Sequence, residues 1–444
     1  MTVDIGILVA GVMSSTAAPQ AIERDQVGQL PEIVTLSAGQ AFATVDQLVA
    51  DGHTADAEAL LRALTNDPSP TLRSEARFRL GRFRAAAGDD RGAVTWYQAL
   101  LDEEPNAAAV RLELARTYAR LGAAAAAARE LRRAQAGRLP LEVARQVDRI
   151  SAALRSSAPT GLDISVGLAP DTNINRATAS RTIDVQGFTL LINRDGRATS
   201  GVGMQLGARG FSRLPLSSSV DWLVEASGAA SLYPSGRYDD IAATIAVGPE
   251  FRRATARLRP SVVAGRRYFD GHRLSDQAGI AVEAQRNISR TTQLSGTVSA
   301  TYLTYPTREF LNGMVYGLSA DLEKAITPRL FGVAGLMGSR SDARDPAYAT
   351  TSAGGRLFVS RDAGRFTVFG GLSYQRLVAD ATFSLFQKRR HDRYADLQLG
   401  ATARLLAIRG LIPSARITLS RNTSTIPFYQ FSRSRLELSL GRQF

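Results

Sequence analysis

From Gly161 to the C-terminus, apolar and polar residues alternate with a period of two. Trp222, Val224, Ala226 and Ala230 alternate with Asp221, Glu225, Ser227 and Ser231. Ile241, Ala243, Ile245 and Val247 alternate with Ala242, Thr244, Ala246 and Gly248. Ala395, Leu397, Leu399, Ala401 and Leu405 alternate with Asp396, Gln398, Gly400, Thr402 and Arg404. Strict alternation gives each strand one face for an apolar medium and one for water. About fourteen such segments fit before Phe444, an even number, as single-chain bacterial barrels have. Tight turns such as Thr327-Pro328 and Asp362-Ala363-Gly364 alternate with longer polar loops, the asymmetry expected of short periplasmic turns and longer outer loops. The last segment, Pro427 to Phe444, places Leu436, Leu438, Leu440 and Phe444 on one face and Arg433, Arg435 and Glu437 on the other. It reads as a closing strand with a terminal aromatic.

A closed barrel is the sheet that can cross lipid, because closure leaves no backbone donor or acceptor unpaired. Arg209, Arg257, Arg259, Arg286, Arg404 and Arg435, with Glu225, Glu283 and Glu437, fall opposite the apolar face. Charges are costly against lipid, so these residues are expected in a wet lumen or at its rims. Trp222, Tyr233, Tyr268, Phe269, Tyr302, Tyr305 and Tyr374 lie near segment ends and are candidates for interfacial girdles. A soluble β-sandwich shares the alternation, but so many long segments rarely belong to one sandwich.

Residues 41–157 have a different character, rich in Ala, Leu, Arg and Glu. Ala93 and Ala127 stand 34 residues apart, the tetratricopeptide period. Leu80, Gly81, Ala93, Tyr97 and Pro105 occupy the expected offsets of one repeat; Leu114, Ala115, Tyr118, Ala127, Leu131 and Ala134 those of the next, with Pro140 one place late. Ala57, Leu61, Leu64 and Pro68 mark a degenerate earlier copy, and Leu139 to Leu154 supplies a capping helix. Small residues let paired helices approach, while large apolar ones fill the space between repeats. Arg84 departs from the pattern, standing where a large apolar residue is usual. First-helix residues Phe78, Arg82, Arg116 and Arg120 would line a concave client-binding groove, or form a solvated face. The fold class is therefore α + β in two domains: a tetratricopeptide α-solenoid, then a fourteen-stranded antiparallel transmembrane β-barrel.

The remaining composition narrows the chemistry. Ile5 to Met13 is apolar, too short to span as a helix, and is followed by Ser15-x-Ala17 and Thr16-x-Ala18. That suits a secretory signal over residues 1–18, although Asp4 stands where a basic residue is usual. Residues 19–40 read as a linker, 41–157 as a periplasmic repeat domain and 160–444 as the barrel. The net charge is +13, and all but Lys324 and Lys388 of the 54 basic residues are arginine. They are dispersed and lack the compact basic run of a nucleic-acid footprint. Without cysteine there are no thiolate metal sites or nucleophiles. His53, His272 and His391 stand apart, without metal-site spacing. Neither catalysis nor a cofactor is indicated.

Two stretches carry a resemblance to a known family. The first barrel segment ends in Ala169-Pro170-Asp171-Thr172-Asn173-Ile174-Asn175-Arg176. The last hairpin holds Arg421, Asn422, Ser424, Pro427 and Tyr429, then Arg433-x-Arg435 and the terminal Phe444. Together with the order of signal, repeats and barrel, these are similar to the surface lipoprotein assembly modulators, the outer-membrane translocons of type XI secretion. Thr425 departs from that pattern, where Asn is commoner. The resemblance implies a Gram-negative outer-membrane protein with its repeats in the periplasm. It implies delivery of surface lipoproteins or soluble secreted binding proteins. The implied partners are outer-membrane lipids, the client, periplasmic chaperones and the barrel assembly machinery. Exopolysaccharide exporters also join tetratricopeptide repeats to a barrel, and an Arg-lined pore would suit an acidic polymer. That is the alternative function; a passive porin and a soluble scaffold are weaker ones.

Overall fold

The computed structural model describes residues 38–136, 160–403 and 411–443. The proposed signal, most of the linker, Leu139 to Leu154, Arg404, Leu405 and Phe444 lie outside the described residues. Six helices precede the sheet: α1 (Ala38–Ala50), α2 (Thr54–Leu64), α3 (Pro70–Ala86), α4 (Asp90–Glu103), α5 (Ala108–Arg120) and α6 (Ala124–Gln135). Gly52, Gly88 and Gly122 follow α1, α3 and α5 and adopt φ of +82°, +79° and +76°. At each, two backbone bonds close the helix end, as in Ala123 N–H to Tyr118 C=O at 2.9 Å and Gly122 N–H to Ala119 C=O at 3.0 Å. This is the Schellman closure, which needs a left-handed residue and so takes glycine. One reversal, built the same way, recurs after every odd helix.

The chain divides into two compact units at Trp96/Tyr97. In the first, Ala41, Val45, Ala57, Leu60, Leu61, Leu64, Ala76 and Leu80 form the core, with Phe42, Leu48 and Trp96 against it. Arg84 is accounted for there: its guanidinium meets Glu58 of α2, and Asp89 at 3.2 Å, so an ion cluster stands where an apolar contact is usual. The second unit begins in α4 and includes α5, α6 and the whole sheet. The division falls within α4, ahead of residues 157–160 where the sequence places the domain boundary, and both the end of α4 and α6 are bonded to the barrel.

The sheet is a closed barrel of fourteen antiparallel strands. In order they are β1 (Thr160–Asp171), β4 (Gly201–Pro215), β5 (Val220–Leu232), β6 (Asp240–Arg252), β7 (Ala256–Phe269), β8 (His272–Asn287), β9 (Thr292–Thr304), β10 (Gly313–Ala325), β11 (Leu330–Ala343), β12 (Thr350–Ala363), β13 (Phe366–Phe383), β14 (Lys388–Ala403), β15 (Ile412–Ser424) and β16 (Phe431–Gln443). A short hairpin, β2 (Thr182–Val185) with β3 (Phe188–Leu191), lies in the connection between β1 and β4. β1 pairs with both β4 and β16, which closes the ring.

Outward positions are the apolar ones. Leu162, Ile164, Val166 and Leu168 of β1 are 38–56% exposed, and Leu318, Leu336 and Leu397 on later strands are exposed as well. Directly opposed residues share a face, so Leu438 beside Leu168 and Leu440 beside Val166 carry the apolar band across the closure. Arg433, Arg435 and Glu437 face the lumen. No helix among the described residues is long and apolar enough to cross a membrane; strands do the crossing.

One end of the barrel, the turn end, has short connections such as 216–219 and 326–329; the other, the loop end, has longer ones. Two loop-end connections are short as well, the four-residue β13–β14 link, 384–387, and the β7–β8 hairpin. Asp270 and Gly271, at φ +52° and +71°, make a two-residue turn there. Trp222, Tyr268, Tyr302 and Tyr374 are exposed on the outer face, as girdle residues should be. Tyr233 is not: it is 9% exposed and its ring lies over Gly203 in the interior. Arg286 also departs from expectation, since it opposes outward Leu294 and so lies on the outer face at the turn-end rim.

Candidate functional site

The two sequence motifs converge at the seam between β1 and β16. Their pairing runs from Asp163 opposite Gln443 to Leu168 opposite Leu438, lapses at Ala169 and Pro170, and resumes with Asp171 opposite Arg435. Pro170 has no N–H to donate, so the ladder loses a rung near the loop end. Gly167 is needed just below, because a Cβ there would stand 2.7 Å from the Leu438 carbonyl oxygen.

Side chains replace the missing rung. Arg433 Nε donates to Asp171 Oδ1 at 3.0 Å and Oδ2 at 2.8 Å, and its Nη2 also reaches Oδ2. Asp171 is buried and the Arg433 side chain nearly so, making this a bidentate ion pair shielded from water. Asn173 Nδ2 donates to the carbonyls of Ala177, at 2.8 Å, and Ser432, at 3.0 Å, while its Oδ1 accepts from Ala177 N–H. Asn175 accepts from Thr199 N–H at 3.1 Å and donates to Arg197 C=O at 2.7 Å. The Asp-x-Asn-x-Asn spacing thus ties both ends of the first loop together and fastens it to the last strand. Arg176 follows at φ +50°.

The second motif supports the same corner. Asn422 is buried and donates to Tyr429 C=O at 2.6 Å. The Tyr429 ring lies 3.5 Å beneath the Arg390 guanidinium. Ser424 Oγ accepts from Ile426 N–H at 3.1 Å. Thr425 Oγ1 donates to Arg389 C=O at 2.7 Å and accepts from His391 N–H at 2.9 Å. A hydroxyl therefore supplies both a donor and an acceptor, as an Asn side chain would. Arg435 bonds Glu437 inside the lumen at 3.1 Å. Arg421 belongs to the motif but points outward, beside Ala395.

Above this corner the β2–β3 hairpin crosses the seam. Ile183, Val185 and Ile192 pack with Phe386 and Ile426, and with Phe383 and Tyr429, from the β13–β14 and β15–β16 loops. Phe188 and Leu191 of β3 are left exposed, at 73% and 85%.

At the turn end α6 and the end of α4 meet the barrel. Arg132 of α6 donates to Gln293 at 2.8 Å and to Glu323 at 2.9 Å, and Arg133 pairs with Asp362 at 2.9 Å. Arg133 also pairs with Glu130, which holds Arg111 of α5 at 2.6 Å. Burial alone would raise the Glu130 carboxyl, but the Arg133 and Arg111 guanidiniums outweigh it and hold its pKa below the ordinary value. Arg329, in the β10–β11 turn, donates to the Asp102 carbonyl at 2.9 Å. Beside this junction lies a cavity of about 370 Å³, lined by Ala126 of α6 and by Asp163, Arg209, Arg257, Arg259 and Glu283. Glu225 bridges Arg209 and Arg259, at 2.8 and 2.9 Å, and Arg356 pairs with Asp321 at 2.6 Å. The interior is charged but internally compensated.

The candidate groove residues lie on two helices. Phe78 and Arg82 are on α3, half-buried and exposed; Arg116 and Arg120 are on α5. Arg116 bonds Glu113 at 2.5 Å and Arg120 bonds Thr117 at 3.2 Å. The α6 arginines were not legible as site residues, since on their own helix they look like a solvated face.

A closed barrel with an apolar outer belt, polar closure and charged interior defines a transmembrane outer-membrane β-barrel. Residues 161–444 match the family described as surface lipoprotein assembly modifier (SlipAM), and the chain belongs to that family. The match covers the barrel and not the helices. No curated protein matches the chain. Among solved structures it is similar to OpdK of Pseudomonas aeruginosa with vanillate, at 11% identity over 64% of this chain and 99% of that one, TM-score 0.33. It is also similar to the P. putida toluene transporter TodX, at 11% identity over 66% and 92%, TM-score 0.36. A third is the channel DcaP of Acinetobacter baumannii, at 7% identity over 64% and 96%, TM-score 0.38.

Proposed function

We propose that the barrel delivers client proteins, surface lipoproteins or soluble secreted binding proteins, from the periplasm to the cell surface. The carrying observation is the junction of α6 with the turn-end mouth, where Arg132 and Arg133 reach Gln293, Glu323 and Asp362. A helical module bonded into the conduit's mouth suits handing over a protein. A passive pore needs no such attachment. The helix pairs are read as periplasmic tetratricopeptide repeats that gather client or chaperone, with Phe78, Arg82, Arg116 and Arg120 as groove residues. Residues 1–18 serve as the export signal and 19–40 as the linker in this reading. Membership of the assembly-modifier family supports the lipoprotein client.

The seam supplies a route for a lipid anchor. Each buried CH2 of an acyl chain is worth about 0.8 kcal/mol, so drawing it through a charged lumen is costly. A lateral exit where the ladder lapses at Ala169 and Pro170 keeps it in the bilayer.

Surface proteomics of a deletion strain tests the proposal. Loss of a displayed or secreted protein, restored by the full chain and not by residues 160–444 behind a signal, is expected. Loss of a surface polysaccharide with all surface proteins unchanged overturns it.

A further inference from the structure

The outer face carries a basic cluster at the loop end, on three adjacent strands. Arg376 of β13 stands directly opposite Arg393 of β14. Arg421 of β15 lies one diagonal step away, beside Ala395, with Thr423 opposite Arg393. All three are exposed, and they share strand parity with outward Leu372, Tyr374, Leu397, Leu399, Ile417 and Leu419. Directly opposed side chains start about 5 Å apart and diagonal ones about 7–8 Å, so Arg393 stands within side-chain reach of both Arg376 and Arg421.

Like charges placed this way repel, whereas two other outward arginines towards this end are compensated. Arg340 pairs with Asp380 and Asp342, both at 2.6 Å, and Arg266 with Asp276 at 2.7 Å. By contrast, Arg393 and Arg421 have no carboxylate partner among the described residues. Among the same residues Arg376 has only the Tyr374 hydroxyl, accepting from its Nε at 3.0 Å. The cluster sits one step loopward of Tyr374, a girdle residue, so it lies at headgroup depth with the apolar belt directly beneath it.

We propose that Arg376, Arg393 and Arg421 bind the phosphates of a glucosamine-based anionic lipid in the outer leaflet, its acyl chains lying along Leu372, Leu397, Leu399 and Leu419. Guanidinium forks match phosphate oxygens in bidentate fashion, and a ligand with two phosphates neutralises a cluster that no carboxylate among the described residues neutralises. The site rests on the reading that the loop end faces outward.

The full chain, purified in detergent, is titrated with diphosphoryl lipid A, monophosphoryl lipid A and phosphatidylglycerol, read by native mass spectrometry and thermal unfolding. Diphosphoryl lipid A is expected to bind tightest and to raise the unfolding temperature. Arg376→Gln, Arg393→Gln and Arg421→Gln together are expected to weaken it about tenfold or more, as loss of charged hydrogen bonds requires. Arg266→Gln serves as the control on a compensated arginine, with heat-modifiable gel mobility confirming that each variant folds. Equal binding by the triple variant overturns the site, and so does equal preference for phosphatidylglycerol. The chain lacks cysteine, so Gln387→Cys, in the β13–β14 loop, reports orientation. Failure to label it on intact cells overturns the orientation and the site together. Labelling without selective lipid binding overturns the site alone.

Discussion

Asp171 and Arg433 are separated by 262 positions in sequence and meet in a bidentate ion pair that fastens the first strand to the last. The pair sits where Pro170 removes a rung from the ladder, so side chains reinforce closure at the loop end beside the Thr172 N–H to Ser434 C=O bond at 3.0 Å. Asp171→Asn or Arg433→Gln leaves a buried charge uncompensated, which costs about 3–5 kcal/mol in such settings. Each single variant should lose heat-modifiable mobility at lower temperature than the parent. Asp171→Asn with Arg433→Gln, which removes both charges, should recover part of the loss. A single variant that melts like the parent would show that the backbone ladder alone holds the seam.

Disulfide trapping addresses lateral exit. Leu168 and Leu438 oppose one another on the outer face, within the paired part of the seam. Leu168→Cys with Leu438→Cys should crosslink under oxidant and stop display of a lipidated client, with reductant restoring it. Full display by the crosslinked barrel would remove the lateral route while leaving delivery through the lumen intact.

The strand pattern made the barrel legible because every strand has one face against lipid, and a period of two is all that requires. Leu436 to Leu440 and Arg433 to Glu437 therefore sort correctly from sequence alone. Rim positions do not obey that rule as tightly, since an outward charge there reaches headgroups and water. Arg286 lies outward for that reason, and Tyr233 turns inward over Gly203. The partners of Arg132 and Arg133 lie 191 and 229 positions away, so no local pattern announces them. The Asn173 and Asn175 motif was visible as residues. What it fastens became apparent only once the two ends of the barrel stood side by side.

Ile426 is fully buried among Ile183, Val185, Ile192 and Phe386. Ile426→Ala should cost about 2–5 kcal/mol of local packing, as buried Ile or Leu truncations do. The penalty falls on the hairpin across the seam and not on the strands. Protease added to intact cells should cut between β2 and β3 faster in the variant, while barrel mobility on unheated gels stays unchanged. Equal cleavage would mean that the hairpin is held by its own turns rather than by this cluster.

Glu130 links the helices to the barrel in a pH-dependent way. Its folded pKa lies below the ordinary 4.5 because Arg133 and Arg111 outweigh the burial that opposes ionisation. A carboxyl with a depressed folded pKa adds stability that is fully present above its unfolded value and is lost as pH falls through the folded one. The α6 junction should therefore be unaffected by pH from neutrality down to about pH 5 and weaken below the ordinary carboxylate range. Hydrogen exchange read by mass spectrometry would show α6 amides losing protection on acidification before β9–β12 amides do. Arg133→Ala removes one of the two cations holding the carboxyl down, so the same loss should begin at higher pH. If α6 and the adjoining strands exchange together at every pH, with and without Arg133, the Glu130 cluster is not what fastens the helix to the mouth.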